Sequence, residues 1–325
     1  MWLTLAKILL YALVILWGGL AVFAYRTVRQ TIRKYRDIKP VEEQEKWKAF
    51  MRHDWNKWDE RGMLIGAFFR FPLRILAVLY ISVTALLLFT FTPRGFQKFF
   101  IRLVLQRVIN LVFKIESKGG NPRLTTPIVI CNHVNWFDIV YCSVMYFPLS
   151  FVSKESVNRV PLVGGVARGL QCIFLDRRSE SARNDTVEKI KKRAEDYARD
   201  PEGTYPVLIY PEGTTTNGRS IARFKTGAFN PLAPITIFGL EYSCEGFEMG
   251  MDEVTPPEHM VLSMCLRPKV AVERRVIEAK AGETVEEYMG RAQQVLSEMT
   301  NYRIFDAGFT EKCQLTELRE QLKNE

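Results

Sequence analysis

Ile128-Val129-Ile130-Cys131-Asn132-His133-Val134-Asn135-Trp136-Phe137-Asp138 packs three structural cues into eleven residues. Four apolar residues without polar alternation suit a strand buried on both faces. Asn132 to Asn135 interrupt the run as a polar turn, and Asp138 opens a helical pattern that Pro148 ends. The same alternation recurs downstream. Ser150–Ser153, Cys172–Leu175, Val207–Tyr210, Ile235–Leu240 and Val270–Val272 read as short strands. Leu162–Leu170, Thr186–Arg199 and Thr284–Met299 read as helices. This order predicts an α/β domain over residues 121–305, a sheet with helices on both faces, followed by a C-terminal tail at 306–325. In such sheets ligands gather near strand ends.

Polar clusters follow several of these strands. His133 is one of three histidines, and Asp138 stands five positions on. The two cannot meet on one helix, where five residues turn through about 140°. They meet if His133 lies in the turn and Asp138 in the first helical turn. Asp138 then fixes the tautomer and raises basicity at the far imidazole nitrogen. A loop histidine satisfied by a helix cap fits the same spacing. Pro211-Glu212-Gly213-Thr214-Thr215-Thr216-Asn217-Gly218 follows a second apolar strand, with Gly213 permitting a tight backbone and hydroxyls suited to a polar head group. Pro201-Glu202-Gly203-Thr204 follows a charged helix instead and reads as a helix stop. Arg177, after Phe174-Leu175-Asp176, suits either a phosphate clamp or an ion pair with the next helix. Lys225, in Arg223-Phe224-Lys225-Thr226-Gly227, suits either a ligand-facing cation or a solvated loop lysine. The six cysteines show no CxxC spacing, so neither a disulfide frame nor a zinc site is expected, and no other metal site is read.

The N-terminal third differs in kind. The chain of 325 residues carries net charge +9, split as +12 over residues 1–120 and −3 over 121–325. Basic residues interleaved with long apolar runs point to an anionic lipid surface and away from nucleic acid. Ile8 to Tyr25 is uncharged and about 27 Å long as a helix, enough to approach a bilayer core. The heavy charge follows it, from Arg26 to Lys39, whereas a cleaved signal peptide carries its charge in front. Residues 1–40 therefore read as an uncleaved anchor with a cytosolic basic flank. Residues 41–120 read as an interfacial and second hydrophobic region. Val41–Arg61, with Trp47, Trp55 and Trp58, suits an interfacial amphipathic helix or an ordinary soluble one. Ile75–Phe91 is flanked by Arg70, Arg74, Arg94 and Lys98. Pro72 and Pro93 at its edges favour a shallow, re-entrant helix over a crossing one.

Together these blocks resemble the glycerolipid acyltransferase family, which includes the 1-acylglycerol-3-phosphate acyltransferases. Four blocks stand in the family's order: Asn132-His133 with Asp138; Lys154 through Gly169 to Phe174-Leu175-Asp176-Arg177; Tyr210-Pro211-Glu212-Gly213-Thr214; and Ala233-Pro234-Ile235-Thr236-Ile237. Glu212 to Gly218 followed by Phe224-Lys225-Thr226-Gly227-Ala228-Phe229 looks most like the lysophosphatidylcholine and lysophosphatidylethanolamine acyltransferases. Unlike many animal members, no Asp-x-Asp-x-Asp-Gly calcium loop follows residue 300. The resemblance implies transfer of an acyl chain from acyl-CoA, as co-substrate and without a cofactor, to a lysophospholipid hydroxyl. It makes His133 the base and Asp138 its orienting partner, and sets Arg177, Glu212, Gly213, Thr214 and Lys225 against the acceptor. It further implies an endoplasmic reticulum membrane with the catalytic domain facing the cytosol. A 1-acylglycerol-3-phosphate or glycerol-3-phosphate acceptor, a lipid hydrolase and an inactive membrane tether remain as alternatives. A hydrolase of the usual serine type is disfavoured, because no Gly-x-Ser-x-Gly elbow occurs.

Overall fold

The computed structural model describes residues 2–36, 38–39, 41–113, 124–175 and 180–324. Two long helices open the chain, α1 (Trp2–Arg36) and α2 (Glu60–Phe91). Both are long and apolar enough to cross a membrane. They run antiparallel: Arg29 and Arg36 reach Glu60, while Tyr25 meets Phe68 and Phe23 meets Phe71. Ile8, Leu9, Tyr11 and Ile15 project outward from α1, each more than half exposed.

Pro72 does not mark a helix edge, as its place in the sequence suggested; it lies inside α2. A proline there lacks the N–H that would bond the carbonyl four residues back. That carbonyl belongs to Phe68, and the Trp17 indole of α1 donates to it at 2.9 Å. The partner helix thus supplies the hydrogen bond that the proline omits. Arg70 and Arg74 are not lipid-facing flanks either. Arg74 donates to the carbonyls of Ser263 (3.3 Å), Met264 (2.9 Å) and Leu266 (2.6 Å), and Arg70 to that of Cys265, so both cap the C-terminus of α9 (Pro256–Cys265). Farther along α2, Ile81 and Leu88 enter the domain core. Leu86 and Phe89 lie over Gly165 and Gly169, where a Cβ would collide with them. One folded domain therefore holds both halves of α2.

After α2 come α3 (Arg94–Phe100), a π-helical turn at Ile101–Leu105 and α4 (Gln106–Phe113). The domain continues with β1 (Ile128–Cys131), α5 (Phe137–Met145), β2 (Ser150–Lys154), α6 (Glu155–Asn158), α7 (Val163–Gly169), β3 (Ile173–Leu175) and α8 (Glu180–Arg199). Next are β4 (Val207–Ile209), β5 (Ser220–Ile221), β6 (Ile235–Ser243), α9 and β7 (Lys269–Ile277). The chain ends with α10 (Val285–Thr300), β8 (Arg303–Ile304) and α11 (Phe309–Asn324). Among the described residues the main sheet has the order β3-β2-β4-β1-β6-β7, parallel except for the β6–β7 pair, and β5 pairs with β8. Successive residues of β1 face opposite layers. Val129 and Cys131 pack with α5 and the α2–α4 side, whereas Ile128 and Ile130 pack with α8 and α10. This is the α/β sheet with helices on both faces that the apolar runs imply.

Two segments depart from expectation. Val41–Arg61 is not an interfacial helix but a strap with one 3-10 turn at Glu45–Trp47, laid against the domain before α2 begins. Its Trp55 and Trp58 surround Tyr35 and Phe247. Its Arg52 is buried between Asp54 (3.0 Å) and Asp252 (3.1 Å), with aromatic rings over the guanidinium. Tryptophans amid mixed charge mark a lipid interface and a buried cation–aromatic cluster alike, and here the partners lie some 200 residues away. Residues 306–325, read as a C-terminal tail, are mostly helical, forming α11. α11 packs on the domain through Leu315, and its Arg319 pairs with Glu253 and donates to the Lys39 carbonyl.

Candidate active site

The site begins where β1 stops. Asn132 continues the pairing with β6 by its side chain, donating to the Leu240 carbonyl and accepting from the Leu240 N–H, both at 2.8 Å. The backbone then turns, with Asn135 accepting from the Phe137 N–H at 2.8 Å. Asp138 falls in the first turn of α5, where the helix dipole favours an anion.

Asp138 is wholly buried and carries four donors. Its Oδ2 accepts from the N–H groups of Val134 (2.7 Å) and Asn135 (2.9 Å) and from His133 Nδ1 (2.9 Å). Its Oδ1 accepts from the Tyr242 hydroxyl at 2.5 Å. A carboxylate so surrounded only accepts, so Nδ1 of His133 carries the proton and Nε2 keeps the basic lone pair. The ring also stacks on Tyr210 at 4.1 Å between centroids. His133 and Asp138 therefore meet as their spacing suggested, and the same carboxylate caps the turn that holds the histidine. The His133–Asp138 pair and the bracing of the turn are one arrangement.

Glu212 stands differently from what the resemblance implied. It is completely buried, with Oε1 accepting from the His133 N–H and Oε2 from the Ala222 N–H, both at 2.8 Å. Burial pushes its carboxyl up to about 8, against the pull of those two amides. The side chain is a strut between the His133 turn and β5, with no exposed surface. Gly213 has φ +65°, and a Cβ there would lie 2.7 Å from Lys225 Nζ. The Lys225 ammonium thus rests over the Gly213 backbone, beside the half-buried Thr214. Arg177 lies outside the described residues.

Several site residues escaped the sequence reading. Tyr242 sits 104 residues from Asp138 with no local signal. Tyr210 was visible as the residue before Pro211, but its stacking role was not. Asn217 donates to the carbonyls of Lys48 (2.9 Å) and Met51 (3.1 Å), tying the strap to the loop. Lys312 of α11 reaches beneath the same loop.

The family model described as Acyltransferase matches residues 114–240. Among curated proteins, the chain is 34% identical over 137 residues to lysophospholipid acyltransferase LPEAT1 of Arabidopsis thaliana, covering 42% of this chain and 34% of that one. It is 30% identical over 211 residues to lysophosphatidylcholine acyltransferase 2 of Rattus norvegicus, covering 62% and 38% respectively. The matched stretch thus spans little more than a third of either relative's length. The fold is also that of the 1-acyl-sn-glycerophosphate acyltransferase PlsC from Thermotoga maritima, with TM-score 0.50 and 18% identity over 74% of this chain and 94% of that chain. With their ordered blocks, sheet and model match, residues 114–240 carry an acyltransferase domain, most like those of the lysophospholipid and lysophosphatidylcholine acyltransferases named above.

Proposed function

We propose that the protein moves a fatty acyl chain from acyl-CoA to the free hydroxyl of a lysophospholipid at a membrane surface. The observation that carries this is the His133–Asp138 pair, which leaves Nε2 as a positioned base. A thioester is already activated, so no covalent acyl-enzyme is required. Nε2 takes the acceptor's proton as its oxygen attacks the thioester carbonyl. The tetrahedral intermediate collapses, the C–S bond breaks, and the imidazolium returns the proton to the CoA thiolate. Asp138 stabilises the imidazolium formed in between, and such a base contributes roughly 10²–10⁴-fold. The Lys225 ammonium over Gly213, the Thr214 hydroxyl and Arg177 supply donors for the acceptor's phosphate.

The exposed apolar face of α1 supports a membrane-bound enzyme. Because one domain holds α2 at both halves, α2 does not carry the chain to the far side, which favours the re-entrant reading. The catalytic domain then stays with Arg26–Lys39 on the cytosolic side, in our reading that of the endoplasmic reticulum. Asn184 is exposed in an Asn-Asp-Thr acceptor sequence on α8, so glycan found there in cells would overturn that orientation. The activity itself is tested with the purified full chain in nanodiscs, labelled acyl-CoA and a panel of lysophospholipids. Transfer that needs added lysophospholipid, and falls at least about 10²-fold in His133→Ala, is expected. Free fatty acid released without acceptor would instead indicate a hydrolase. Equal transfer by a folded His133→Ala variant would refute the mechanism.

A further inference from the structure

Three loops meet at the site, around residues 132–137, 210–219 and 248–254. Backbone bonds join the first to each of the others: Thr216 N–H to the His133 carbonyl (3.0 Å), and Met251 N–H to the Val134 carbonyl (2.8 Å). The second and third are joined by side chains. Thr215 Oγ1 donates to the Met251 carbonyl at 2.6 Å. Lys312 Nζ donates to the Thr215 carbonyl (2.8 Å), Thr215 Oγ1 (2.7 Å) and the Met251 carbonyl (2.7 Å). All three ammonium hydrogens are thus spent on two loops of the site, and the Phe50 ring of the strap lies 5.8 Å away.

This lysine has no surface reason to be there. Its ammonium end is enclosed, and burial pushes it down to about 8, although Asp252 and Glu212 favour its charge. A buried cation is costly unless its donors are used. Here none goes to a carboxylate among the bonds described; each goes to the loop that carries Gly213 and Thr214 or to the loop bonded to the His133 turn.

We propose that Lys312 is a positioning residue for acyl transfer. It holds the Gly213–Thr214 backbone at a fixed distance from His133, and so makes α11 part of the working site although α11 lies outside residues 114–240. The inference rests on the acyl-transfer reading above. A displacement of about 1 Å in a site that aligns two substrates lowers the rate by as much as about 10²-fold. The effect should appear in kcat as well as in KM for the lysophospholipid, whereas a merely structural lysine would lower only the melting temperature.

The test compares wild type, Lys312→Met, Lys312→Arg, Thr215→Val and the Lys312→Met/Thr215→Val pair, as full chains in one nanodisc preparation. Lys312→Met is expected to lower kcat/KM for the lysophospholipid about 10–100-fold at temperatures where it remains folded. Lys312→Arg, which keeps charge and donors, is expected to recover most of the loss. Thr215→Val retains both carbonyl acceptors; it keeps the proposal testable if Lys312→Met fails to fold, and a kcat loss of several-fold is expected. The double variant should be little worse than Lys312→Met, since both act on one contact. Wild-type kcat and KM in folded Lys312→Met, or an unaltered kcat in Thr215→Val when Lys312→Met does not fold, would overturn the inference and leave the function intact. A wild-type protein that transfers no acyl chain to any lysophospholipid would overturn the function and this inference with it.

Discussion

Replacing Asp138 by asparagine and by alanine separates what its carboxylate does for catalysis from what it does for the fold. Two of its four donors, the N–H groups of Val134 and Asn135, belong to buried backbone. In Asp138→Ala both lose their acceptor, at about 1–3 kcal/mol each, or about 2–6 kcal/mol together. A typical domain has only about 5–15 kcal/mol of stability, so this variant should be severely destabilised. In Asp138→Asn the amide oxygen occupies the Oδ2 position and retains the bonds from Val134, Asn135 and His133. The Tyr242 hydroxyl rotates to accept from the new amide. The cost is then the lost charge, roughly 1–3 kcal/mol in all. Catalysis should not follow this ranking, since both variants lose the charge beside His133. The neutral amide keeps the tautomer but no longer stabilises the imidazolium, so kcat should fall about 10²–10⁴-fold in a variant that still folds. Stability is read by urea denaturation in the same detergent, and kcat by thiol released from acyl-CoA in the presence of lysophospholipid. Wild-type kcat in Asp138→Asn would refute the role assigned to the carboxylate. Asp138→Ala within about 1 kcal/mol of wild type would refute its role as the cap of the turn.

Two further outcomes follow from buried groups. Glu212 titrates near 8 in the fold against 4.5 as an ordinary carboxyl, so the folded state holds the extra proton between those values. Its contribution therefore destabilises the protein as pH rises from about 4.5 to about 8, and levels off above; Glu212→Gln should remove that slope, so that the variant gains in stability relative to wild type between pH 5 and pH 9 in urea denaturation, and an unchanged slope would contradict the assignment. Trp17→Phe should strand the Phe68 carbonyl in α2 at about 1–3 kcal/mol, read as a lower melting temperature in nanodiscs. In a Pro72→Ala background the new N–H at position 72 serves that carbonyl, so a Trp17→Phe loss of the same size there would disprove the compensation.

Much of the fold was readable because its signals are local. The unbroken apolar runs of β1 and β4 announce strands buried on both faces, and the polar turns after them announce the site. His133 and Asp138 are five positions apart, close enough for spacing to constrain geometry. What stayed hidden depends on distant partners. Val41–Arg61 carries the composition of a lipid-interface helix, yet Arg52 is buried because Asp252 waits for it in another loop. Arg70 and Arg74 resemble membrane flanks until α9 is seen to end against them. Glu212 looked ligand-facing because it sits in the glycine- and threonine-rich turn; its enclosure depends on Ala222 and on the folded His133 turn. Lys312 gave no signal at all, since the Thr215 carbonyl it serves is 97 residues away.

The strap and α11 also impose an order of assembly. Asn217 takes its partners from residues 169 positions earlier, Arg52 pairs across 200 residues, and Arg319 closes on the Lys39 carbonyl across 280. Loops of that span close slowly and late. On a ribosome adding about 5–20 residues per second, α1 and α2 emerge and meet lipid first, and the strap between them then waits with Arg52 held by Asp54 alone, without Asp252. The His133 turn follows, still without the loop of Asp252 or the ammonium of Lys312. On the function proposed above, a site built this way works only once α11 has left the ribosome, so a partly made chain leaves the surrounding lipids untouched.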